Sequence, residues 1–135
     1  MYLLDTNICI YLIKQKPIQV LNYFQKITPG KIAISSITFS ERQFGVEKSD
    51  YQEKNRQALE KFVTPLQIFN YDSAASSVYG KIRRHLEAEG TPIGPLDTLI
   101  AAHAISINAI LVTNNVKEFS RVPNLLVENW VVNEQ

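Results

Sequence analysis

Short, nearly unbroken apolar runs, set apart by longer amphipathic stretches, constrain this chain more than any other feature. The runs are Tyr2–Leu4, Ile32–Ile34, Leu66–Phe69, Ile110–Val112 and Leu125–Val127. A strand covered by helices on both faces is apolar at successive positions, so runs of this kind read as buried parallel strands. Between them apolar residues recur at three- and four-residue spacing over Ile8–Lys14, Ile18–Ile27, Thr38–Lys48, Tyr51–Phe62, Ser73–Glu89 and Pro95–Ile107, the period of amphipathic helices. Short strands joined by such helices require parallel crossovers. The expected fold class is therefore α/β, a central parallel sheet of about five short strands flanked by helices. Pro29–Gly30, Pro65 and the Gly90–Pro95 segment punctuate the elements. A length of 135 residues suits one core, and a single domain over 1–135 is expected.

Charge narrows the functions such a fold can host. Fourteen Lys and Arg face 13 Asp and Glu, a net charge of +1, which excludes the global basic field of a protein that coats nucleic acid. Any such contact needs local cations, and Lys14, Lys16, Arg83, Arg84, Lys117 and Arg121 are candidates, each equally readable as solvated surface charge. The single cysteine, Cys9, excludes an internal disulfide or a thiolate zinc cluster. No apolar run approaches the ~18 residues that span a bilayer, and a strand-like opening stands where a leader's basic and apolar regions would be. A cytoplasmic protein without membrane contact is expected. His85 and His103 lack the spacing of a zinc site or a triad and are expected, like Cys9, to be structural.

In open α/β sheets ligands bind beyond the carboxyl ends of the strands, and acids gather there. Asp5 follows the first strand. Glu41 is expected in the first turn of a helix beginning near Thr38, Asp97 in the first turn after Gly94–Pro95, and Asn114, Asn115 and Glu118 after Ile110–Thr113. Thr38-x-x-Glu41 also reads as a capping box, Asp97 as a first-turn acid facing the helix dipole, and Asn114–Asn115 as a turn. Their joint placement favours a shared role. Clustered carboxylates repel one another, and a divalent cation relieves that repulsion. With no His or Cys ligand set, Mg²⁺ or Mn²⁺ suits these donors.

The order of residues resembles the PIN-domain ribonucleases, most closely the VapC-type toxins of bacterial toxin–antitoxin pairs. The resemblance is carried by Met1–Ile10 (MYLLDTNICI), by Ile34–Thr38 with Glu41 and Gly45, by Pro92–Pro95 with Asp97 and Ile100–Ala104, and by Leu111–Asn115 with Glu118–Phe119, Arg121–Pro123 and Glu128–Trp130. It runs from Met1 to about Trp130. It implies a Rossmann-like PIN fold, magnesium-dependent endoribonuclease activity on structured RNA, transfer RNA among it, homodimerisation, and neutralisation by a VapB-type antitoxin in a hetero-oligomer. By the same resemblance Asp5, Glu41, Asp97 and Glu118 are the catalytic and metal-binding acids, with Glu118 as the fourth acid and Asn115 as its hydrogen-bonding neighbour, although many family members place an Asp where Asn115 stands. Asn7, Thr113 and Asn115 are expected to help bind phosphate. One ion or two remain open.

One departure from the family pattern is Arg42, where Leu is usual beside the glutamate. It either pairs with Glu41 and weakens the site or points away. A catalytically weakened PIN domain that only binds an antitoxin is thus the alternative function. A haloacid-dehalogenase-type phosphatase would need a second Asp two residues after Asp5, where Asn7 stands. Asp5→Ala or Asp97→Ala is expected to abolish cleavage while leaving folding intact.

Overall fold

In a computed structural model, which describes residues 1–131, the first apolar run becomes the central strand, β1 (Tyr2–Leu4). It is followed by α1 (Thr6–Lys14) and α2 (Ile18–Lys26), and a short 3₁₀ turn at Pro29–Lys31 leads into β2 (Ile32–Ser35). Next come α3 (Ser36–Glu47), α4 (Gln52–Val63), β3 (Gln67–Phe69), α5 (Ser73–Ala88) and α6 (Pro95–Ser106). The chain continues through β4 (Ile110–Val112), α7 (Val116–Phe119) and β5 (Leu126–Glu128). The strands form one sheet in the order β3-β2-β1-β4-β5, and every pairing is parallel. The α/β expectation holds.

Successive residues of a strand face opposite sides of the sheet, and β1 divides its side chains accordingly. Leu3 packs with Leu111, Ile82, Leu86 and Ile100 against α5 and α6. Leu4 packs with Ile8, Leu12, Ile34 and Val112 on the side of α1 and α2. Trp130 closes that second layer, fully buried, stacked on Tyr23 with ring centroids 5.9 Å apart and donating its Nε1–H to Glu128 Oε1 at 2.8 Å. Cys9 is buried among these apolar residues, and its burial raises the thiol pKa, so it packs as a small apolar group. Phe44 is exposed, with Lys48 over its ring at 5.2 Å.

Element boundaries moved where capping chemistry overrode the apolar pattern. Helix α3 begins at Ser36 rather than Thr38, because Ser35 at the end of β2 caps it, its Oγ accepting from the Ile37 N–H at 3.1 Å. Thr38 is buried with its hydroxyl unpartnered, so no capping box forms, and Glu41 lies in the second turn of the helix. Short helix α7 spans four residues, too few to carry a period, and the apolar pattern passes over it. The sheet order reverses direction beside β1, with β2 on one side and β4 on the other. The crevice where ligands bind is expected at that switch point.

Candidate active site

Asp5 leaves the end of β1 as the N-cap of α1. Its Oδ1 accepts from the Ile8 N–H at 2.9 Å, and its Oδ2 accepts a short hydrogen bond from the Thr113 hydroxyl, which leaves the end of β4. The residue is 5% exposed. Burial raises its pKa, the bonds from Thr113 and from the backbone of Ile8 and Asn7 work against that rise, and Glu41 adds repulsion.

Asp97 enters from the first turn of α6, whose start is set by Gly94 and Pro95. Its carboxyl is pushed up to about 6, first by burial and then by the charges of Glu118, Asp5 and Glu41, with a hydrogen bond to Glu118 acting in the same direction. Glu41 reaches the cleft from α3 and accepts from the Thr6 hydroxyl at 3.5 Å. Glu118, on α7, accepts from the side-chain amide of Asn115. Three acids widely separated in sequence thus meet at one cleft, and Glu118 beside it acts on Asp97. That cleft, about 350 Å³ in volume, is lined by Asp5, Thr6, Asn7, Glu41, Leu96 and Asp97 with the Gly94–Pro95 turn.

The amides and hydroxyls divide their work differently from the sequence expectation. Thr113 is fully buried; its hydroxyl donates to Asp5 and accepts from the Asn115 N–H at 2.9 Å. Its place is therefore to hold Asp5, and the expectation that it touches phosphate is corrected. Asn7 is exposed at the rim and Asn115 is half-buried against Glu118. His103, buried in α6, was missed as a support of the site. Its Nδ1 lies 2.8 Å from Ser35 Oγ, burial lowers its pKa, and the ring shares a hydrogen bond with the serine hydroxyl that caps α3. The helices carrying Glu41 and Asp97 are tied together there. A lone helical histidine gave no sign of this bond, because its partner lies 68 residues away.

Arg42 does not pair with Glu41. The ion pairs among the described residues join Arg56 to Glu47 and Glu53, and Arg83 to Glu87. The Arg42 guanidinium instead lies along its own helix beside Gly45, so the alternative of a blocked site loses its ground. Of the candidate RNA-binding cations, Arg83 is engaged by Glu87 and Tyr79, and Arg121 donates to the Pro92 carbonyl at 3.1 Å.

The donor set suits a hard divalent cation, because every acid in the cleft is a carboxylate and they repel one another as they stand. Among the described residues no three potential ligands stand close enough to enclose an ion unaided. Mg²⁺ is commonly held in this way, by one or two carboxylates, with water or substrate phosphate completing its shell.

Comparison with known proteins agrees with the geometry. The family model for the PIN domain matches residues 2–125. Ribonuclease VapC2 of Rickettsia felis is 47% identical over 96% of this chain and 97% of its own length. The tRNA(fMet)-specific endonuclease VapC of Shigella flexneri is 46% identical over 96% of this chain and 97% of its own. The structure of VapBC2 from Rickettsia felis bound to a DNA fragment from their promoter superposes with a TM-score of 0.90 at 46% identity, covering 96% of this chain and 98% of that one. No helix among the described residues is long and apolar enough to cross a membrane. A cleft of carboxylates at the switch point of a five-stranded parallel sheet, together with these matches, places the chain in the PIN-domain family, among the VapC ribonucleases.

Proposed function

We propose that this chain is a magnesium-dependent endoribonuclease toxin that cuts structured RNA, transfer RNA among it, and that a VapB-type antitoxin neutralises it. The observation that carries the reading is the convergence of Asp5, Glu41 and Asp97 on one open cleft, with Glu118 near enough to raise the Asp97 carboxyl further. Carboxylates so placed are costly unless a cation is their partner.

Asp5 and Asp97 hold Mg²⁺, with Mn²⁺ as a substitute, and Glu41 and Glu118 complete or orient the set. When bound, the ion supplies charge for the phosphate and lowers the pKa of water. The chain's own groups do the positioning. Thr113 and the Ile8 N–H fix both oxygens of Asp5, Thr6 orients Glu41 toward the cleft, and the Asn115 amide steadies Glu118 beside Asp97. Glu41 lines the cleft and can take the proton of an attacking water. Asn7 at the rim is free to meet a phosphate oxygen. Lys117 and Arg121, near Glu118 in sequence, and the exposed Lys16 supply the local positive charge that RNA needs.

The relatives support the partner and the substrate. The solved structures from Rickettsia felis and Salmonella typhimurium are VapBC assemblies, and the Shigella flexneri relative is named for initiator transfer RNA. A homodimer that joins an antitoxin in a hetero-oligomer follows from the same likeness. The test is to incubate the purified chain with a transfer-RNA pool in Mg²⁺ and map the new RNA ends. Discrete cuts that vanish in EDTA and return with Mg²⁺ are expected; cleavage unaffected by EDTA would remove the metal from the reading.

A further inference from the structure

We infer that a second cleft, on a different face of α3 from the acids, is a carboxylate-recognition pocket for an acidic side chain of the partner protein; this rests on the reading that a bound antitoxin neutralises the chain. Neighbouring residues on a helix point about 100° apart. Glu41 therefore meets Thr6 at the active cleft while Arg42 turns into a cleft bounded by α1, α3 and α4. Its walls include Ile13 and Lys14, Arg42 and Gly45, and Asn55 and Leu59. At about 170 Å³ it is well below the ~300 Å³ at which small-molecule sites begin. There is room for one side chain.

The charges inside lack partners. Neither Arg42 nor Lys14 has a carboxylate among the ion pairs of the described residues, and the buried Nε of Arg42 has no acceptor. Gly45 is what gives the guanidinium its place. A Cβ there would stand 3.0 Å from Nη2 and 3.2 Å from Nη1, so any larger residue would press on the head group. Two cations and an orphaned donor ask for an acceptor with negative charge, and a planar carboxylate matches the guanidinium fork. The apolar wall from Ile13 and Leu59 favours an acid on an amphipathic protein segment over a solvated phosphate track, and low local polarity strengthens such a bond.

The test uses the chain co-expressed with the antitoxin from its own locus, and calorimetry on the purified partners. Arg42→Gln is expected to weaken the complex by about tenfold to a hundredfold, Arg42→Lys to recover most of that loss, and Gly45→Ala, which keeps both charges, to weaken it severalfold. Changing the antitoxin's acids to amides one at a time should find one whose effect disappears in the Arg42→Gln background. RNA cleavage by the free variants should match the parent. Unchanged antitoxin affinity in Arg42→Gln overturns the inference while leaving the toxin reading in place. A raised KM for RNA in that variant overturns it in favour of an RNA contact, and failure of the unmodified pair to associate overturns the partner reading itself.

Discussion

Glu41 and Arg42 are adjacent in sequence and serve clefts of opposite charge on different faces of α3. Around Glu41 the charges are all negative and repel one another; around Arg42 they are positive and have no carboxylate partner among the described ion pairs. Each cleft is poorly satisfied alone, and each is complementary to what it would bind. On the proposed reading one helix would separate the chemistry from the partner contact by the rotation between two residues, and each should change with little effect on the other.

Breaking the acidic side should have the largest consequence. Asp97→Asn and Asp5→Asn are expected to lower RNA cleavage by a factor of about a thousand or more, on the scale of losing a group that stabilises charge in the reaction, while circular dichroism reports an unchanged fold. Asp5→Ala is different, because Asp5 also caps α1. Loss of an N-cap costs about 1–2 kcal/mol, so alanine is expected to cost stability at Asp5 and to spare it at Asp97; chemical denaturation of the two alanine variants separates them.

Proton competition sharpens the same contrast. In the metal-free chain the Asp97 carboxyl is raised from 3.8 to about 6, so the folded state binds a proton that the unfolded state binds only at lower pH. The stability of the metal-free fold therefore rises as pH falls from above 6 toward 4, and the repulsion is fully present above about 6. Added Mg²⁺ should raise the melting temperature at pH 7.5 more than at pH 5. An equal shift at both would mean that the ion does not bind at Asp97.

Thr113→Val keeps the shape of a buried residue and removes the donor to Asp5. Cleavage should fall by about tenfold, the scale of a hydrogen bond to a charged group, with little change in RNA affinity; a change confined to KM would restore Thr113 to the phosphate site. The smallest effect is expected at Arg42→Leu, with cleavage within about twofold of the parent, as for substitutions away from interacting groups. A large loss there would couple the two clefts.

Much of this was legible in the sequence, for physical reasons that differ by element. Strands β1 and β4 were legible because strands buried on both faces are apolar throughout. Asp5 and Asp97 could be placed because a strand end and a Gly-Pro helix start have few conformations open to them. The start of α3 was misplaced because Ser35, Ser36 and Thr38 can all cap, and only packing decides that Thr38 is buried and Ser35 does the work. The roles of Thr113 and His103 depend on partners 108 and 68 residues away, and no local pattern encodes such a distance. The direction of Arg42 depends on which face of α3 packs against α1 and α4, and tertiary packing sets that.

The double duty of Asp5 has a consequence for how such a chain can lose its activity. On the proposed reading, removing the acid at α6 should silence the enzyme and spare its architecture, whereas removing the one at the head of α1 should also loosen the first turn of a helix. Mutants disarmed at Asp97 should therefore persist as intact, inert protein still available to the antitoxin, while those disarmed at Asp5 by a residue unable to cap should be more readily degraded.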